Sequence, residues 1–385
     1  MSRFLFVVPP LTGHVNPTVS VAAELESRGH QVAWVGHPGQ VKALLAPGAQ
    51  LIELDDSVPA ALVEDNIEIA RKVRGLAALK FLWEDFFLPL ARAMVPGVER
   101  AVEDFKPDLL VVDQQALAGA LVARKKGLNW VTMATTSAGI TDPLAPLPKV
   151  REWLLECFAQ LEREAGLEVT RKIDCSPHAV IVFSTSALVG VDMEFPAHFH
   201  FVGPSIQKRN DPTLFPWDAL TDQPRILVSL GTVNADRGRR FYQTAVEAFA
   251  DQPFQVVMVA PDELVPHVPA NFVVQKRVPQ LDLLPHLNAV VSHAGHNTVC
   301  ETLAHGLPLV LAPIKDDQPV VAQQVVEAGA GIRVRFGRLS PAELRNAVHT
   351  ILSDGSYRDA AKRIQASFAR AGGESAVATV LENLQ

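Results

Sequence analysis

Two groups of residues in this chain have the types and spacing for chemistry. The first pairs His14, just after the apolar run of residues 3–8 (RFLFVV), with Asp113, at the end of the run 107–112 (PDLLVV). Unalternating apolar runs of this length suit strands of a parallel sheet covered on both faces. Ligands of such sheets bind beyond the carboxyl ends of the strands. If the two strands are neighbours, the imidazole and the carboxylate share one rim. A carboxylate that holds one imidazole nitrogen fixes the tautomer and stabilises the imidazolium, so the other nitrogen can take a proton from an alcohol. Spacing alone leaves a plainer reading open, with His14 capping the following helix and Asp113 a solvated acid at a strand end.

The second group lies in residues 292–312, SHAGHNTVCETLAHGLPLVLA. A short apolar run (288–291) precedes Ala294 and Gly295, then the polar trio His296, Asn297 and Thr298. Apolar residues at helical spacing follow, and a second strand over 307–312. Strand, glycine turn, helix, strand is the expected order. A helix that starts at a glycine turn offers backbone N–H groups and the positive end of its dipole to a phosphate. The turn is read here as the holder of a nucleotide-sugar diphosphate.

Other chemistries lack their residues. There is no nucleophile elbow, no His-Glu-x-x-His motif and no Walker-type phosphate loop. No Asp-x-Asp pair is present for a metal-bound diphosphate, so no obligatory metal and no other cofactor are expected. The charge of a departing diphosphate would then be met by the helix start and nearby hydroxyls, at roughly 3 kcal/mol per well-aimed donor.

The elements that must position these groups follow from the rest of the chain. Its 385 residues are 48% hydrophobic and 20% charged, which suits a globular protein of two domains. A net charge of −7 without any basic run argues against a nucleic-acid partner. Three scattered cysteines, no signal-like segment and no membrane span point to a cytoplasmic protein; a monomer or homodimer is expected. Residues 9–17 (PPLTGHVNP) read as a loop and 15–28 as a helix stopped by Gly29. Strands at 31–35 and 50–54 complete a βαβ start. Residues 58–102 read as mostly helical, with Leu62, Ile67, Ile69 and Val73 early in the segment. Phe81, Trp83, Phe86 and Phe87 crowd its middle, as core or as the lining of a pocket for an apolar ligand. Prolines at 204, 212, 216 and 224 mark a linker. The expected division is residues 1–204, a linker at 205–224, a second domain at 225–371 and a C-terminal helix, 372–385, packing back on the first. The fold class is α/β, two doubly wound Rossmann-like domains facing across a cleft.

The residues 293–301, HAGHNTVCE, resemble the H-x-G-x-N-[ST]-x-x-E signature of the UDP-glycosyltransferase family, the inverting GT-B transferases. Residues 306–331, with the pair Asp317 and Gln318, continue the match, and PPLTGHVNP is similar to the family's first loop with its catalytic histidine. The resemblance covers nearly the whole chain and is most specific over 278–331. It implies His14 as general base and Asp113 as its partner. It implies that His293 and the N–H groups of Gly295, His296, Asn297 and Thr298 bind the diphosphate. Glu301 would accept from ribose hydroxyls, and Val278 would meet the base through its backbone. Asp317 and Gln318 would hold sugar hydroxyls, while Ser229, Gly231 and Thr232 would border the phosphates. The aromatic cluster at 81–87, with Thr135 in the segment 133–171, would shape the acceptor site. The chain lacks the tryptophan that opens the plant signature, Val278 standing there, and resembles the bacterial branch that decorates polyketides, macrolides, carotenoids and other lipophilic alcohols, as in antibiotic biosynthesis. The implied activity is inverting O-transfer of a hexose from a UDP- or dTDP-sugar. A nucleotide-sugar epimerase and a non-catalytic partner of a transferase are the alternatives.

Overall fold

The computed structural model describes residues 1–56, 73, 75–206, 213–231 and 238–385. Thr232, Leu62, Ile67, Ile69 and Pro212 lie outside them.

The chain folds into two compact units. One comprises Met1–Ser184, Glu194–Ile206 and Ala371–Gln385, the other Thr185–Met193 and Gln207–Arg370. Each is a parallel sheet between two apolar layers.

In the first unit the apolar run after Ser2 is strand β1 (Arg3–Val7), and Phe4 to Val8 are fully buried. β2 (Gln31–Gly36), β3 (Gln50–Glu53), β4 (Leu109–Asp113), β5 (Trp130–Ala134), β6 (Val180–Val182) and β7 (Phe199–Phe201) complete a sheet of order β3-β2-β1-β4-β5-β6-β7. All its pairings are parallel. The strand order reverses between β1 and β4, and a crevice at the carboxyl ends is built in there.

Helix α1 (Thr12–Ser27) begins inside the segment read as a loop, so His14 is the third residue of a helix. Prolines and Gly13 argue for a loop locally. Pro17, in the second turn, forfeits one backbone hydrogen bond. Burial of Val15, Val21, Ala22 and Leu25 against the sheet outweighs that loss. On the opposite face lie α2 (Leu88–Phe105), α3 (Leu117–Lys126) and α4 (Pro148–Glu164). A helix at Leu76–Phe81 and a π-helical turn at Leu82–Phe87 lead into α2.

The second unit repeats the plan. β8 (Arg225–Ser229), β9 (Gln255–Val259), β10 (Phe272–Gln275), β11 (Ala289–Ser292), β12 (Leu309–Leu311) and β13 (Gly331–Arg333) pair in the order β10-β9-β8-β11-β12-β13, all parallel. Its reversal lies between β8 and β11. Helices α5 (Arg239–Phe249), α6 (His296–Ala304), α7 (Gln318–Glu327), α8 (Pro341–Ser353) and α9 (Gly355–Ala371) follow. At the start of α8, Ser340 Oγ accepts the Glu343 N–H, an N-cap bond that satisfies one orphan donor.

Gly372 and Gly373, at φ 90° and 53°, turn the chain into α10 (Gly373–Glu382). That helix is part of the first unit, burying Val377, Ala378 and Leu381 with α1. Glu382 ties it down, accepting from Arg28 over 2.8 Å and meeting His30 at 2.9 Å. Among the described residues no helix is long and apolar enough to cross a membrane.

Candidate active site

The β1–β4 pairing sets Val7 beside Val112, so the chain leaves both strands at one sheet edge. There His14 and Asp113 meet: His14 Nδ1 lies 3.0 Å from Asp113 Oδ1 and 2.9 Å from Oδ2. The carboxylate is 1% exposed. A carboxylate only accepts, so Nδ1 carries the ring proton and Nε2 of the neutral imidazole keeps a lone pair. Two more donors converge on Asp113, the Gln115 N–H on Oδ1 at 2.9 Å and the Thr135 hydroxyl on Oδ2 at 2.8 Å. Thr135 follows β5, which pairs with β4 through Asp113 and Met133. It therefore touches the His–Asp pair directly, a role its position in sequence does not disclose.

The aromatic residues divide. Phe87 is 1% exposed and belongs to the core. Trp83 packs against it at 5.3 Å and edge-on to Phe158 at 5.1 Å, and Phe86 meets Phe87 at 5.3 Å. Phe81, Trp83 and Phe86 remain half-buried. Trp83 and Phe86 lie against the core that α2, α3 and α4 form with the sheet.

In the second unit Ser229 and Ser292 pair across β8 and β11 at the other switch point. Ser292 Oγ accepts the Ala294 N–H, and Ala294 takes a positive φ of 68°, which tightens the corner before α6. Gly295 is the N-cap of α6, with no side-chain cap and no acidic residue in the first turn. That leaves the dipole end of the helix without a competing carboxylate. His293 lies between two glycines. A Cβ on Gly231 would come within 2.7 Å of its ring, and one on Gly295 within 2.5 Å of Nε2. Gly231 also holds a φ of 71°. Burial pushes the His293 pKa down, opposed by the charge of Asp317 and by the Ser229 backbone. Its Nδ1 is buried with no hydrogen-bond partner among the described residues. A neutral ring in this place is a hydrogen-bonding group rather than a fixed cation.

His296 turns inward. It is 6% exposed, with Nε2 3.5 Å from the buried Cys300 Sγ one helical turn on. Its part in the corner is then that of a backbone. Asn297 and Thr298 follow it in the first turn of α6, both half-buried. Glu301, on the next turn, is 7% exposed and accepts from Gln280 Nε2 at 2.6 Å. No sequence pattern singles out Gln280; its one signal there is its place two residues after Val278, which is itself half-buried. Asp317 is the N-cap of α7. Gln318 Oε1 accepts from the N–H groups of Ile314 and Lys315 at 2.9 and 3.2 Å, which leaves its amide nitrogen as the end able to donate.

Known proteins resemble this chain over most of its length. Residues 191–368 match the family model described as "UDP-glucoronosyl and UDP-glucosyl transferase". The chain is 30% identical to the NDP-glycosyltransferase YjiC of Bacillus subtilis, over 97% of this chain and 95% of that protein. It is 28% identical to the demethyllactenocin mycarosyltransferase of Streptomyces fradiae, over 100% of this chain and 87% of the other. Among solved structures, the glycotransferase of kitacinnamycin superposes with a TM-score of 0.83 at 25% identity, covering 100% of this chain and 98% of that one. With two Rossmann-like units of the GT-B class, the chain is a glycosyltransferase and belongs to the UDP-glucoronosyl and UDP-glucosyl transferase family.

Proposed function

We propose that this glycosyltransferase moves a hexose from a UDP- or dTDP-sugar to a hydroxyl of a lipophilic small molecule, of polyketide, macrolide, carotenoid or phenolic type, with inversion at the anomeric carbon. His14 Nε2 takes the proton of the acceptor hydroxyl as its oxygen attacks that carbon. The bond to the diphosphate oxygen breaks in the same displacement, and the nucleoside diphosphate leaves with the electron pair. A single displacement inverts the centre. His293 and the backbone N–H groups of residues 295–298 meet the growing charge on the diphosphate, with Ser229, Gly231 and Thr232 bordering it. Glu301 accepts from the ribose hydroxyls, the Val278 backbone meets the base, and Asp317 and Gln318 hold hexose hydroxyls.

The observation that carries this reading is the contact between His14 Nδ1 and the buried Asp113 carboxylate, which sets the tautomer in which Nε2 carries the lone pair. The half-buried aromatic residues Phe81, Trp83 and Phe86 support an apolar acceptor, as does the likeness to a mycarosyltransferase.

A screen of UDP- and dTDP-sugars against lipophilic alcohols and phenols, read by mass, identifies donor and acceptor, and the anomeric coupling constant of the product reads the stereochemistry. Replacing His14 by Ala is expected to lower transfer about 10²- to 10⁴-fold while the affinity for the nucleoside diphosphate stays within about twofold. Transfer that survives in His14→Ala at near the parent rate overturns the base assignment.

A further inference from the structure

The geometry points to Thr135 as the third member of the His14–Asp113 pair, a positioning residue and not a contact for the acceptor. This rests on the reading of His14 as the base. Thr135 is 3% exposed, at the carboxyl end of β5. Its Oγ1 lies 2.8 Å from Asp113 Oδ2 and 2.8 Å from His14 Nδ1. A hydroxyl has one proton, and the carboxylate can only accept, so that proton goes to Oδ2. Nδ1 carries the ring proton, which therefore faces three acceptors: Oδ1 at 3.0 Å, Oδ2 at 2.9 Å and the threonine oxygen at 2.8 Å.

Two consequences follow. The Thr135 hydroxyl has no second proton to give to a substrate, and at 3% exposure no surface to offer one. Its two bonds also fix quantities that the His–Asp contact alone leaves soft. A carboxylate can rotate about its Cβ–Cγ bond. The Thr135 bond on Oδ2 and the Gln115 N–H on Oδ1 hold it from both oxygens. A β-branched side chain with restricted χ1 is well suited to hold such a bond. The imidazole, held by Nδ1, then presents Nε2 in one direction. Misplacing a catalytic group by about 1 Å costs on the order of 10²-fold in rate.

The test uses the full chain with UDP-glucose or dTDP-glucose as donor and two acceptors, geraniol as an unactivated alcohol and 7-hydroxycoumarin as a more acidic phenol. Thr135→Val keeps the shape and removes the hydroxyl. It is expected to lower kcat on geraniol about 10- to 100-fold with both KM values within about threefold, and to lower kcat on the phenol less. Thr135→Ser is expected to restore kcat to within about threefold of the parent. In an Asp113→Ala background, Thr135→Val should cost nothing further, because non-additivity marks residues that act as a unit. A readout independent of turnover is the His14 ring signal in ¹⁵N-resolved NMR, assigned by its loss in His14→Ala. It should show the Nδ1–H tautomer in the parent and in Thr135→Ser, and a shifted or averaged signal in Thr135→Val.

A rise in acceptor KM with unchanged kcat overturns the inference in favour of an acceptor contact. A Thr135→Ser variant as impaired as Thr135→Val does so in favour of packing by the methyl group. An unchanged His14 signal in Thr135→Val does so outright. Full transfer by His14→Ala overturns the underlying reading of the base instead, so the two failures are distinct.

Discussion

Gln280 donates from its side-chain amide to Glu301 across 2.6 Å, tying the short helix after β10 to the second turn of α6. Glu301 is buried to 7% exposure, and a carboxylate so placed needs donors on its oxygens. A neutral amide supplies one and sets the orientation of the group without cancelling its charge. If Glu301 receives ribose hydroxyls, its removal costs more than the removal of the residue that aims it. Glu301→Ala is expected to weaken UDP binding about 10- to 100-fold, and Gln280→Ala about 3- to 10-fold. In the Glu301→Ala background the Gln280 change should add little. Titration calorimetry with UDP checks the set, and equal, additive losses would separate Gln280 from Glu301.

A methyl group on Gly295 has no room unless the His293 ring moves, since it would stand 2.5 Å from Nε2. Gly295→Ala is therefore expected to lower donor affinity about tenfold, similarly to His293→Ala, with little change in melting temperature because the ring end, not the backbone, gives way. Thermal melts and UDP titrations of the two variants read this directly. Donor affinity unchanged in Gly295→Ala would show that the position of the ring is immaterial.

The same burial predicts a pH dependence. His293 is held below the usual histidine value, so it is neutral at neutral pH and takes a proton only on further acidification. A diphosphate is bound more tightly by the protonated ring. By linkage the gain begins at the pKa of the complex and levels off only below the lowered pKa of the free protein, so the part of UDP affinity lost in His293→Ala should still be rising as the pH falls past the ordinary histidine value. Parent and variant titrated in parallel cancel the ionisation of UDP itself. A His293-dependent gain that is already complete at or above the ordinary histidine pKa would contradict this.

Glu162 predicts a stability effect remote from the chemistry. Its side chain is fully buried and accepts from Thr170 Oγ1 at 2.6 Å, from the N–H groups of Thr170 and Arg171 at 3.0 and 2.9 Å, and from Arg124. Burial pushes its pKa up, but the bonds from Thr170, Arg171 and Arg124 outweigh that and hold it below the usual carboxylate range. A carboxylate whose pKa is depressed by folding stabilises the fold above its unfolded value, and that contribution fades as pH falls through the folded one. Glu162→Ala is expected to cost about 2 to 4 kcal/mol at neutral pH, with a smaller difference from the parent in acid. Denaturant melts at several pH values measure both, and a constant difference across the acid range would exclude the charged form as the source.

Much of the fold could be read from residue patterns. Unalternating apolar runs became the central strands β1, β4, β8 and β11, because a parallel strand buried on both faces has no polar side to advertise. The start of α1 could not be read so. Pro9, Pro10, Gly13 and Pro17 are local signals for a loop, and only packing of Val15 and Val21 against the sheet turns the segment into a helix that carries His14 on its first turn. The aromatic residues at 81–87 show the same limit, since composition does not separate Phe87 in the core from Phe86 at its margin.

By itself the sequence determined the class of the sheets, the two strand-ending groups of polar residues and the glycine corner before α6, all of which depend on neighbours a few residues away. Only the tertiary structure decided that Thr135 closes on His14 and Asp113, that Gln280 holds Glu301, that His296 faces Cys300, and that His293 lies between Gly231 and Gly295. Apart from His296 with Cys300 on one helix and His293 with Gly295 in one corner, each of these contacts joins residues from separate elements. Their meeting is set by strand order and register, which no local pattern encodes.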